Sequence, residues 1–187
     1  MTLLVLGLLL WTAAHLVKRV APDLRARMTE KMGDGSKGVF AVLILASVVL
    51  MVLGYKSADG PVWWGRNAAM VGINNLLMLL SVYLFAASGS KTWITSKVKN
   101  PQLTAFKIWC FAHLLVNGDL VSFVLFGGLL AWAVLEVIIL KRAGVEPDPP
   151  KEVYPMKKEV TAIIATVVVF AIIAGIHAWL GYSPFGA

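Results

Sequence analysis

Apolar residues in this chain come in long runs separated by short polar stretches, at residues 2–17, 38–55, 67–87, 102–116, 120–140 and 160–182. None of these runs alternates apolar and polar positions as a half-buried strand does. A helix of about 20 residues covers the ~30 Å hydrocarbon core of a bilayer. The pattern therefore predicts an all-α fold, a polytopic integral membrane bundle of about six transmembrane segments in a single domain over residues 1–187. The first and fourth runs are short for a full span. Asn117-Gly118-Asp119 joins the fourth and fifth with a tight-turn sequence, which predicts an antiparallel hairpin or one interrupted helix.

Composition agrees with that expectation. The chain has 187 residues, 59% hydrophobic and only 14% charged, where soluble domains carry about 25% charged residues. A net charge of +7 could suggest nucleic acid, but its distribution points to membrane topology instead. Fourteen of the seventeen lysines and arginines lie in loops one, three and five (Lys18, Arg19, Arg25, Arg27, Lys31, Lys37; Lys91, Lys97, Lys99; Lys141, Arg142, Lys151, Lys157, Lys158). The second loop holds Lys56 and Arg66, and Lys107 lies inside the fourth run. Basic residues accumulate on the cytoplasmic side, so both termini are expected to face outward. Trp63, Trp64, Trp179 and Tyr182 then fall where an outer aromatic belt lies. No basic residue precedes the first run, while Lys18 and Arg19 follow it, a pattern that suits a retained helix rather than a signal peptide. Residues 145–155, with Pro147, Pro149, Pro150 and Pro155, read as a stiff cytoplasmic linker.

A single cysteine excludes an intramolecular disulfide and any multi-cysteine zinc or iron–sulfur site. No nucleophile elbow, phosphate loop, HExxH motif or pair of intramembrane carboxylates is present. The informative residues are ionisable ones inside apolar runs, where charge is costly and usually functional. His15 and His113 lie in separate runs, as a bis-histidine haem requires. His15 falls ~20 Å below the outer end of its helix, and His113 about 9–18 Å above the inner boundary, so a shared depth is feasible. The alternative is that each histidine hydrogen-bonds a serine or a backbone carbonyl between helices.

Cys110 stands three residues before His113, hence on the same helix face, where it is either a small buried hydrophobe or an alternate iron ligand. Lys107 either snorkels to the interface or pairs with a haem propionate. His177, beside Trp179, reads as an interface residue, and Glu136 as the partner of Lys141 and Arg142. Asn74 and Asn75 suit hydrogen bonding between helices, and Asn117 with Asp119 suits capping of the flanking helix ends.

The run Lys107-Ile108-Trp109-Cys110-Phe111-Ala112-His113-Leu114-Leu115-Val116-Asn117-Gly118-Asp119-Leu120, continuing to Phe126-Gly127, resembles the signature of the NnrU family of bacterial membrane proteins. The resemblance extends to His15-Leu16-Val17, Leu24-Arg25-Ala26-Arg27, Lys37-Gly38-Val39-Phe40 and Leu53-Gly54-Tyr55, and covers most of residues 1–142. It implies a bacterial inner-membrane protein from a family named for a requirement in nitrite and nitric oxide reduction. It also implies kinship with the plant 15-cis-ζ-carotene isomerase, a membrane haem b enzyme with two histidine ligands and a cysteine three residues before the second. Those positions match His15, His113 and Cys110. Two positions depart from the pattern. Lys99-Asn100-Pro101 stands where the family commonly has Arg-His-Pro, and Leu16 where the isomerase has serine.

Three functions follow as alternatives. One is a redox-active or redox-sensing haem b protein, with a cis–trans isomerase of a long polyene as its catalytic form. Another is a non-catalytic accessory or electron-supply protein for nitrogen-oxide reduction. The third is a haemless structural or transport protein. The expected partners are the lipid bilayer and either a polyene substrate or a membrane redox protein, with no nucleic acid.

Overall fold

A computed structural model describes residues 1–90, 92–145 and 155–186. The expected linker lies almost wholly outside those residues, as do Lys91 and Lys151. The fold is all-α, with helices α1 (Thr2–Val20), α2 (Pro22–Met32), α3 (Gly35–Ser57), α4 (Ala68–Ser90), α5 (Pro101–Val116), α6 (Leu120–Arg142) and α7 (Met156–Trp179). A short 3₁₀ turn, Trp93–Ser96, precedes α5. Strand β1 (Val62–Trp64) pairs with the two-residue strand β2 (Gly118–Asp119). Among the described residues, five helices are long and apolar enough to cross a membrane: α1, α3, α4, α6 and α7. Helix α5 has 16 residues, about 24 Å at 1.5 Å each.

Two compact units make up the chain. The first contains residues 1–62 and 119–132, the second residues 63–118 and 133–187, so α6 contributes to both.

In the first unit α1 and α3 run antiparallel in close contact. Gly7 lies against Met51 and Ser47, where an added Cβ would stand 2.8 Å from the Met51 nitrogen and 2.9 Å from the Ser47 carbonyl oxygen. At Gly54 it would meet the backbone of Leu4. Small residues admit this approach, and it supplies the packing contact that lipid cannot drive by hydrophobicity. The start of α6 joins the pair running parallel to α1. Gly128 faces Leu8, and Trp132 faces Trp11 at 5.3 Å between ring centroids. Tyr55 hydrogen-bonds Ser122 at 2.7 Å, which ties the end of α3 to the start of α6. Helix α6 contains one π-helical turn, Phe123–Gly127, which the apolar pattern did not foretell.

Helix α2 falls inside what the sequence presented as the first loop. Pro22 occupies its first turn, Asp23 suits the positive helix start, and Lys31 suits its end. Gly33 stops it at φ 53°, a conformation that glycine accepts without strain.

In the second unit α4 packs against both α5 and α7. Ser81 donates to the Ala105 carbonyl at 2.8 Å, and the Tyr83 hydroxyl donates to the Glu159 carboxylate. The C-terminal strap is held by Arg66, which donates to the carbonyls of Ser183 (3.0 Å) and Gly186 (2.9 Å), and by Asn75, which donates to that of Pro184 (3.1 Å). Asn75 thus holds the strap rather than another helix. Across the surface large apolar side chains point outward, among them Val42, Leu45, Leu76, Ile164 and Val167. Apolar exposure on this scale suits lipid rather than water.

Two outcomes test this packing. Gly54→Val should lower stability in detergent by about 1–3 kcal/mol through overpacking against Leu4. Gly72→Ala, with nothing within 4 Å of the new methyl, should cause no loss, and thermal melts of both variants check the contrast. Asp119 accepts from the Ser122 backbone at 2.8 Å and from its hydroxyl at 2.7 Å, which caps α6. Asp119→Ala should therefore cost about 1 kcal/mol in the same melts.

Candidate functional site

A histidine inside an apolar helix must find a hydrogen-bond partner, and the nearest acceptor is the carbonyl four residues earlier on its own helix. His15 takes that route in the first unit, with Nδ1 2.8 Å from the Trp11 carbonyl oxygen. His113 takes it in the second, with Nδ1 2.9 Å from the Trp109 carbonyl oxygen. A carbonyl only accepts, so each bond assigns the proton to Nδ1 and leaves the lone pair of a neutral imidazole on Nε2. Both of these hydrogen bonds run within a helix.

Tryptophan rings frame both histidines. In the first unit the Trp11 ring lies 4.1 Å from the His15 ring, and Trp132 meets His15 edge-on at 4.9 Å. In the second unit Trp109 lies 5.0 Å from His113. The repeated Trp-x-x-x-His spacing is a local signal carried by the sequence itself. Trp132, brought in from α6, had no sequence signal.

On α5 Cys110 is fully buried and His113 half-buried, one turn apart. Lys107 is half-buried on the same helix and makes no ion pair with any described residue. His113 stands in the last turn of α5, twelve residues from its start, or about 18 Å along the axis. The end of that helix is closed by two side chains. Asn117 donates to the His113 carbonyl at 2.7 Å, and the Trp64 indole donates to that of Leu115 at 3.2 Å. Trp64 also covers Gly118, where any Cβ would collide with its ring. The residue expected in an aromatic belt thus serves as a helix-end cover, and Asn117 and Asp119 act as the caps their positions suggested.

His177 repeats the local pattern, with Nδ1 2.8 Å from the Ile173 carbonyl oxygen. It lies within electrostatic range of His113 and near Trp179, which is 83% exposed. Glu136 departs from expectation. Its Oε2 is buried without a hydrogen-bond partner, and it pairs with neither Lys141 nor Arg142 among the described residues. The spacing explains this, because residues five and six apart do not share a helix face as residues three or four apart do.

The donor set fits haem iron by its chemistry. Axial imidazoles coordinate through a neutral nitrogen while the other ring N–H is held by an acceptor. His15 and His113 each have that arrangement inside apolar helices lined with indole rings. Among the described residues no three His, Cys, Asp or Glu side chains gather as a metal cage. A haem needs only one or two such ligands, since the macrocycle supplies the rest.

No curated protein and no solved structure matches the chain. The sequence profile described as "NnrU protein" matches residues 3–184 and runs unbroken through both units. The chain therefore belongs to the NnrU family.

Proposed function

We propose that this NnrU-family protein is a redox-active membrane haem b protein, in which His15 and His113 would hold the iron and Cys110 would be the alternate ligand. The observation that carries this reading is the Nδ1–H bond each histidine makes to its own helix, which leaves Nε2 as the coordinating atom. When bound, haem supplies a one-electron iron couple tuned by its axial ligands and its low-dielectric surroundings. The chain's part is to fix the imidazole tautomers, exclude water with apolar helices and place a thiol one turn from His113. Lys107, half-buried and without an acidic partner among the described residues, would supply the cation for a propionate. The substrate class that suits such a site is a long apolar polyene, isomerised cis to trans, as the resemblance to the carotenoid isomerase implies. The family's link to nitrogen-oxide reduction gives the runner-up, an electron-supply role in which both axial positions stay filled.

In the same proposal α5 is the sixth span and makes a hairpin with α6. The basic loops face the cytoplasm, and the protein resides in the bacterial inner membrane with both termini outward. Reporter fusions check the orientation. Alkaline phosphatase should be active when fused after Tyr182 and inactive when fused after Lys99, and the opposite pattern would reject it.

Visible spectra of the detergent-purified protein test the haem. The expected outcome is a Soret band with sharp reduced α and β bands. His15→Ala and His113→Ala should each lose haem or convert it to a high-spin form, while Cys110→Ala keeps a bis-histidine spectrum and changes ligand exchange on reduction. Lys107→Gln should weaken haem retention without moving the bands. A wild-type low-spin spectrum in both histidine variants would reject the ligand pair.

A further inference from the structure

Helix α2 is the element that the haem reading does not use. It is separated from α1 by Ala21 alone, and from α3 by Gly33 and Asp34. Both neighbours are long and apolar enough to cross a membrane. A helix tethered so tightly to two spans has no length of chain with which to leave the membrane boundary. Arg25 fixes it further, because its guanidinium donates to Thr29 at 3.1 Å and to the buried Ser36 at 2.8 Å. The same group lies 4.7 Å from the centroid of the Phe40 ring. Arg25 and Thr29 therefore mark the side of α2 that packs on α3, and the remaining faces have fixed directions.

Those faces are sorted by chemistry. Leu24, Met28 and Met32 recur at every fourth residue and form one apolar stripe. Leu24 is 50% exposed and Met32 48% exposed, with Met28 between them partly buried, so both ends of the stripe stand open among the described residues. Arg27 and Lys31 fall at helical spacing along one edge of it, and Asp23 and Glu30 lie next to Arg27 on the side away from the stripe. Cations flanking an apolar stripe, between it and the acids, complement a surface of anionic headgroups above acyl chains.

We infer that α2 is an in-plane anchor for anionic phospholipid. Leu24, Met28 and Met32 enter the acyl boundary, and Arg27 and Lys31 hold the headgroup phosphates. This assignment stands independently of haem, since it uses no residue of the proposed ligand set.

The test is native mass spectrometry of the full-length protein, delipidated in neutral detergent and titrated with dioleoyl phosphatidylglycerol or dioleoyl phosphatidylcholine. The wild type should retain phosphatidylglycerol in preference. Arg27→Gln and Lys31→Gln should each lower its apparent affinity about fivefold, the worth of one basic side chain at an anionic surface. Leu24→Asn should weaken both lipids together, because it removes acyl contact rather than charge. All three side chains are exposed or at the helix surface, so melting in neutral detergent should not change and a folding defect is separately visible. The assignment is overturned by equal retention of the two lipids. It is equally overturned if the preference survives Arg27→Gln combined with Lys31→Gln, since the phosphates would then sit on other basic loops. A dimer mass abolished by Leu24→Asn would give the stripe to a second copy of the chain and would also overturn it.

Discussion

A polar side chain carried into hydrocarbon must take its hydrogen-bond partner with it, because no water is there to serve. This chain meets that constraint mostly inside each helix. Thr12 donates to the Leu8 carbonyl, Thr166 to that of Ala162, and all three histidines bond the carbonyl four residues back. For a hydroxyl the arrangement is only economical. For an imidazole it is chemically decisive, since the same bond that satisfies Nδ1 directs the lone pair of Nε2 away from the helix that holds it. A requirement of burial thus produces the tautomer a metal ligand needs. Two buried acceptors, Asn74 Oδ1 and Glu136 Oε2, stand outside this economy without a hydrogen-bond partner among the described residues.

Packing follows from the same environment. Lipid tails are as apolar as leucine, so helices gain by close approach rather than by hiding large side chains. Accordingly many buried positions are small, as at Ala87, Ala105, Ala112, Ala133, Ala162 and Ala174, with Gly7 and Gly54 letting α1 and α3 touch backbone to backbone. Many large aliphatic residues are turned outward, while Leu4, Leu84 and Leu129 are among those buried. Indole rings lie around His15, before His113 and over the end of α5, while Trp63, Trp93 and Trp179 are exposed elsewhere.

The two ends of the chain's polar repertoire serve different purposes. Arg25 and Arg66 work as staples through hydroxyl and carbonyl acceptors, one holding α2 to α3 and the other holding the C-terminal strap to the start of α4. Arginine suits both tasks because its planar fork reaches two acceptors at once. The ion pair of Lys37 with Asp34 lies on the exposed surface and adds little.

The sequence by itself determined the all-α membrane character, the placement of six of the seven helices to within a few residues, the capping by Asn117 and Asp119, and the family. These are local properties: run length, apolar continuity and a cap residue next to the end it caps. Its candidate ligands His15, His113 and Cys110 were legible for the same reason, as polar or reactive groups standing out against apolar runs. Only the tertiary structure decided the rest. Helix α2 was hidden because a short polar helix held by Arg25 on Ser36 and Phe40 has no apolar run to announce it. Glu136 was misassigned because proximity in sequence is not a shared helix face. The placing of Trp132 beside His15, Trp64 over Gly118 and Asn75 on the strap joins residues far apart in the chain. Such contacts depend on how helices approach one another, and no single helix's pattern encodes that.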